Sequence, residues 1–341
     1  MTYSSRFFLY APLALFLLLA AGTGLYWWHA ASALSATLDA FNGREAVPGV
    51  TVRFASKSVS GFPFNLDVVF ADLRVTVETP HGPSSWRTEK FALHALTYGR
   101  EQMIFEAAGH QLLSWTDLQG HRHAMPFQAG ELHASAIADG KGLTRFDLDC
   151  IGFGSPALTA GRVQLHVRMP PKAQSAEIFA TAGAVHLMST TAGAFGPDIT
   201  SVTMNATAAP VRAFDGLRRG TADWASALET FRTANGVLTV AGLDIDWGRM
   251  SAMGKGRLSL DASHRVDGLL DFKIAGMETW LAATQHRGLS GGSSNGIAAA
   301  LIDRAAKAGN NEAGMLGAVV GFHGGLVSVG DETATTEEPL Y

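Results

Sequence analysis

The chain has 341 residues, of which 47% are hydrophobic and 16% charged, with 26 Lys+Arg against 30 Asp+Glu. A net charge of −4 with no basic stripe argues against nucleic acid and against polybasic docking on anionic lipid. The single cysteine, Cys150, leaves no intramolecular disulfide, so stability must come from a core.

Phe7 to Trp28 is a run of 22 residues without a charge. As a helix it spans roughly 33 Å at ~1.5 Å per residue, enough for a ~30 Å hydrocarbon core. Tyr3, Phe7, Phe8 and Tyr10 crowd one end, and Tyr26, Trp27 and Trp28 the other, as in two interfacial aromatic belts. Arg6 precedes the run, and the next Lys or Arg is Arg44. The charge bias predicts an N-terminus in the cytoplasm and the remainder outside, so the expected location is the inner (cytoplasmic) membrane with a periplasmic domain. The apolar run is longer than the core of a cleaved signal peptide, and residues 1–28 are read as a retained anchor.

Residues 29–49 follow as a juxtamembrane helical stalk. Leu34, Leu38 and Phe41 recur at helical spacing, and Gly43 supplies a stop. From Val50 the pattern changes to period two. Leu73, Val75 and Val77 alternate with Asp72, Arg74, Thr76 and Glu78. Strands are predicted near 50–59, 66–79, 86–98, 103–107, 121–127, 131–138, 143–151, 161–169, 176–189 and 199–208, with turn signals between them. A helix is predicted at 221–233, where a subdivision near 210–235 would fall. Strands carrying Leu243, Ile245 and Trp247, then Leu258 and Leu260, then Leu270 and Phe272 come next. Short helices are expected at 277–286 and 297–308, joined by a glycine-rich loop at 287–296. Residues 315–322 read as helix or strand, 326–329 as a strand, and 331–341 as a polar tail. The 38 glycines suit such frequent turns. The expected fold is mainly β with a few packed helices: an elongated antiparallel sheet behind one N-terminal transmembrane helix, with the β-rich domain over 50–330.

No stretch spells out a reaction. His121 and His123, with His133 nearby, form a potential metal corner but lack a further ligand, so surface strand histidines explain them as well. The Asp147/Asp149 and Asp244/Asp246 pairs have the carboxylates a hydrolase needs, yet no base, nucleophile or oxyanion motif accompanies them. Gly288 to Gly296 lacks the G-K-[ST] of a phosphate loop. No catalytic residue, metal or cofactor is therefore assigned, and the ligand-binding residues are left open.

The most specific local signal is Ser60-Gly61-Phe62-Pro63-Phe64. Gly61 permits a tight bend and Pro63 fixes φ, and both phenylalanines are expected to point inward as parts of a structural turn. With its N-terminal anchor, this KSVSGFPFNLDVVFADLRV segment resembles the DUF2125 family of uncharacterised alphaproteobacterial proteins, whose turn reads G-[FY]-P-[FY]-x-[LF]. The closing FHGGLVSVG…EEPLY is similar to that family's end, although the acidic DETATTEE replaces its usual glycine/proline-rich connection. The resemblance implies a β-rich envelope domain with an AsmA-like layout and no set activity. Three functions are compatible: a curved β surface holding lipid or acyl chains, a structural or partner-binding envelope module, and an envelope hydrolase. The expected partners are the membrane, through Phe7 to Trp28, and a lipid or envelope protein.

Overall fold

The computed structural model describes residues 5–79, 81–97, 101–117, 120–170, 172–188, 195–276, 315–330, 332–336 and 338–341. The expected helices at 277–286 and 297–308, the loop at 287–296, the last residue of the strand expected at 86–98 and Tyr3 lie outside the described residues.

The segments expected as anchor and stalk form one helix, α1 (Ser5–Phe41). Its apolar first part continues into the stalk because no glycine or proline interrupts residues 25–41. The helix ends where expected, with Gly43 at φ +76°. Asn42 ties that end to the sheet: its Nδ2 donates to the Phe54 carbonyl (3.1 Å) and its Oδ1 accepts from the Phe54 amide (3.0 Å).

The sheet is an antiparallel meander. It runs through β1 (Arg44–Val47), β2 (Val50–Arg53), β3 (Ser56–Ser60), β4 (Asn65–Val77), β5 (Ser84–Leu96) and β6 (Gln102–Thr116). It continues with β7 (Arg122–Phe127), β8 (Glu131–Asp139), β9 (Gly142–Gly154), β10 (Leu158–Arg168), β11 (Ala176–Leu187) and β12 (Asp198–Ala209). A cap follows, made of a 3-10 turn (Val211–Phe214), α2 (Asp215–Arg218) and α3 (Trp224–Thr233). The last strands are β13 (Val237–Trp247), β14 (Met250–Leu260), β15 (Val266–Ala275), β16 (Met315–His323), β17 (Leu326–Val329) and β18 (Glu332–Thr336). Strands β2 and β3 lie end to end along β4, and β7 and β8 along β6.

Register explains why the sheet has one apolar face. Leu66, Ala95, Met103, Ala136, Phe146, Val167, Ile178, Ala206, Val240, Gly256, Leu270 and Val320 stand directly across from one another on twelve successive strands. Two parallel rows, from Val68 to Ala318 and from Phe70 to Leu316, are equally free of polar side chains. A period of two turns the intervening residues outward, and most of them are polar, with exceptions such as Val69, Ile104 and Met253.

Such a face cannot stay flat in water. A methyl placed on Gly49, in the β1–β2 turn, would lie 3.3 Å from Cβ of Asp223 at the start of α3, and one on Gly220 would lie 3.1 Å from Val47 Cγ1. Eight ladder steps separate β2 from β12, about 38 Å at ~4.8 Å per step if the sheet were flat. The accumulated twist, helped by bulges, therefore curls the sheet until the cap meets the first hairpin. One line of bulges crosses β4, β5 and β6. Asp72 takes φ +52°, and the registers shift between Thr88 and Lys90. This flip is why Leu66, Val68 and Phe70 share a face with Leu73, Val75 and Val77. A buried polar chain spans the bulge: Trp86 Nε1 donates to Gln111 Oε1 and Gln111 Nε2 to Thr88 Oγ1, both at 2.9 Å.

Three clusters fill the flanks of the curl. Leu34 and Leu38 of α1 pack on Phe54, Val68, Phe70 and Leu73. Phe231 and Val211 of the cap pack with Met169, Ala176 and Ala208. Met250, Ile274, Leu316, Ala318, Val320, Val327 and Val329 form the third.

Several expectations change. Residues 315–322 are strand, and β6 runs well past 107 because Gly109 (φ +82°) bends it without ending it. Helix α3 begins at Trp224, not 221, because Asp223 caps it by accepting from Ser226 N (2.7 Å). The segment 331–341 holds β18, and Tyr341 donates to Glu229 (2.9 Å) and stacks on His264 at 4.4 Å. Phe62 and Phe64 do not point inward; each is 59% exposed. Their turn, with Gly61 and Pro63, lies beyond the sheet end, where pleat alternation no longer assigns faces.

Gln111→Ala leaves the Trp86 indole N–H without its partner and removes the donor to Thr88 Oγ1, which keeps its own bond to the Lys90 carbonyl (3.0 Å). The expected loss is about 1–3 kcal/mol of unfolding free energy in a urea titration. A variant as stable as the parent would show that this chain does not hold the bulge.

Candidate functional site: an apolar hollow under β5 to β10

Between the packed flanks the apolar face forms an open hollow of about 660 Å3. Its walls are Trp86 and Phe91 (β5), Phe105 and Ala107 (β6), Phe127 (β7), Leu132 and Ala134 (β8), Phe146, Leu148, Cys150 and Phe153 (β9), and Leu158 and Val163 (β10). Glu106 and His133 border it, with their side chains turned to the other face by the strand alternation. Phe91 stacks on Phe105 (5.9 Å) at the α1 side, and Phe127 on Phe153 (5.4 Å) farther along. Aromatics at inward positions on β5, β6, β7 and β9 hold the walls apart, while Ala107 and Ala134 leave room between them. Phe105, Leu132, Phe146 and Leu148 are only half-buried. Cys150 is 5% exposed, and burial, with the Asp149 charge beside it, pushes its thiol pKa up. The thiol is thus an uncharged part of the wall and a poor nucleophile at neutral pH.

The chemistry-bearing residues lie on the opposite, polar face. Burial alone would raise the Asp147 carboxyl, but hydrogen bonds from His166 (2.7 Å) and Arg145 (2.5 Å) hold it low. Arg162 forks onto Asp149 at 2.6 and 2.8 Å and lowers it as well. Asp246 accepts from Ser201 Oγ (2.9 Å) beside exposed Asp244. His123 and His121 both bind Asp117, whose pKa His123, first, and the His121 contacts draw down to about 2. His133 stands apart on β8, facing Glu106 at 3.8 Å. Among the described residues no group of three His, Cys, Asp or Glu could hold a metal. Cross-strand pairs Asp67–His94, Asp147–His166, Asp198–His186 and Asp267–His323, all at 2.7–2.8 Å, have the same face-fixing character.

Sequence reasoning missed the hollow. The apolar positions it singled out, such as Leu73, Leu243, Leu258 and Phe272, belong to the packed flanks or neighbouring rows and do not line it. The usable signal was the phenylalanines of 91, 105, 127, 146 and 153, but only the register brings them together.

A family model described as uncharacterised proteins conserved in bacteria, DUF2125, matches residues 27–332. The chain belongs to the DUF2125 family. No curated protein and no solved structure matches it. The DUF2125 match runs from Trp27 to Glu332, so it takes in the stalk, the meander through β17 and the hollow, and leaves most of the apolar helix outside.

The ion pairs on the polar face set an acid dependence. Asp149 has a lowered folded pKa, so its contribution is present above the ordinary carboxylate value of ~3.9 and is lost as pH falls through the folded value. Asp149→Asn is expected to lose under ~1 kcal/mol at pH 7, a deficit that shrinks as the solution is acidified below the ordinary carboxylate value, read as urea midpoints. A deficit that does not shrink on acidification would contradict the assignment.

Proposed function

We propose that this protein is anchored in the inner membrane through Phe7 to Trp28, with its sheet in the periplasm, and holds a lipid acyl chain in the hollow under β5 to β10. The observation that carries the reading is the wholly apolar lining of a cavity of about 660 Å3, a size usual for small-ligand sites. An acyl chain gains about 0.8 kcal/mol per methylene buried there, and water gains no partners from such walls. Helix α1 supports the reading twice. It is long and apolar enough to span a membrane. Its stalk then packs beside Phe91, which also lines the hollow, so the cavity adjoins the element that meets the bilayer. The role is binding, and no catalytic residue is assigned.

The test is photo-crosslinking in the membrane of living cells, with p-benzoylphenylalanine replacing Phe105 in the wall or Met253 on the polar face. Met253 is 52% exposed. Lipid adducts at 105 and none at 253 are expected. Equal labelling, or protein adducts alone at 105, would favour a partner-binding module instead.

A further inference from the structure

We propose that the turn formed by Gly61, Phe62, Pro63 and Phe64 is an aromatic foot seated in the headgroup region of the bilayer, so that the domain rests on the membrane instead of hanging from α1 alone. The proposal rests on reading α1 as a membrane span.

Helix α1 leaves the sheet beside this turn. Ala30 and Ala31 are each 7% exposed, whereas Tyr26 and Trp28, just before them, are 55% and 65% exposed. The turn adds Phe62 and Phe64, both 59% exposed, to the same end of the molecule. Phe62 sets its ring edge-on to Trp27 at 5.6 Å. Its Cε2 would lie 3.9 Å from a methyl placed on Gly24. Gly24 is four residues inside Trp28, about 6 Å along the helix. The ring therefore lies level with the inner side of the Tyr26, Trp27 and Trp28 belt, the depth where amphipathic rings settle.

The turn and helix are also locked together. Trp27 Nε1 donates to the Asn65 carbonyl (2.8 Å) and Tyr26 OH to the Thr97 carbonyl (3.1 Å). Thr97, 3% exposed, returns both its amide (2.9 Å) and its hydroxyl (2.8 Å) to the Phe64 carbonyl. Asn65 N closes the turn onto Gly61 O at 2.8 Å. Gly61 has φ +100°, and an added Cβ would meet Asn65 O at 2.8 Å, so the bend needs glycine. A rigid mount thus presents two large rings to solvent, next to an apolar helix and with no charge among residues 61–64. Continuity with the span selects the bilayer as the occupant.

The test uses the full chain in nanodiscs of phosphatidylethanolamine and phosphatidylglycerol. In a Cys150→Ser background, a bimane label is placed at Phe62→Cys, Phe64→Cys, Leu17→Cys or Met253→Cys, and nitroxide lipids serve as quenchers. At least twofold quenching at 62 and 64 by a headgroup nitroxide, deep quenching at 17 and none at 253 are expected. Quenching at 17 with 62 and 64 behaving like 253 overturns the foot while the span stands. No quenching at 17 overturns the span and the foot with it. Labels at 62 and 64 shielded from both lipid nitroxide and aqueous iodide would show a protein occupant, which also overturns the proposal. Because cysteine removes the rings, the native chain is also photolabelled with a headgroup-diazirine lipid. Adducts on Phe62 or Phe64 are expected, and adducts on Trp28 without them contradict the foot.

Discussion

The structure depends on one constraint: an antiparallel sheet whose inward rows stay apolar across twelve strands must cover that face. A flat sheet would leave it in water. Twist and the bulges at Asp72 and Gly109 curl it instead, and the cap meets the β1–β2 turn near Gly49 and Asp223. Curling has a limit. Large rings at 91, 105, 127, 146 and 153 keep the middle strands from collapsing, so the flanks pack and the centre stays open. The polar face carries the complementary set of pairs, such as Asp149–Arg162 and Asp147–His166, which fix which face turns outward. A one-residue slip would reverse both faces at once, so register and chemistry specify each other.

Helix α1 has two physically distinct halves. From Tyr10 to Gly22 it is almost wholly exposed and apolar, part of a helix long enough to span a membrane. Its second half is the wedge that fills the curl beside β3 to β5, with Leu34 and Leu38 doing what a further strand would do in a closed barrel. Lys57 reaches Asp39 (2.8 Å) and Ser35 (2.9 Å) and so fixes the rotation of the wedge. The apolar helix and the core are therefore one element, and the packing of residues 27–41 fixes how that helix leaves the sheet.

Much of this was legible in the chain. The uncharged run, the stalk periodicity, Gly43 and most strands follow from local pattern, because helix and strand periods act over a few residues. The Asp147/Asp149 and Asp244/Asp246 pairs fall on the polar face because each member is two residues from the other on an alternating strand. The hollow was not legible, since it depends on which residues stand opposite one another on strands 10 to 20 residues apart. Leu73 and Phe272 look no different in sequence from Phe105 and Phe146. The phase flip at Asp72 is invisible without the partner strand. Phe62 and Phe64 were misread because inward burial is the default for apolar residues, and the default fails where a turn leaves the sheet beside the long apolar helix.

The central claim is that the hollow is filled by lipid and is not merely a gap in packing. Native mass spectrometry of the full chain released from lipid nanodiscs tests it most directly, with the parent compared with Ala134→Trp, which grows an indole into the cavity from β8. The account predicts one tightly retained lipid mass on the parent and none on a folded variant. The same retained lipid on both would place that lipid on the outside of α1 and contradict the account.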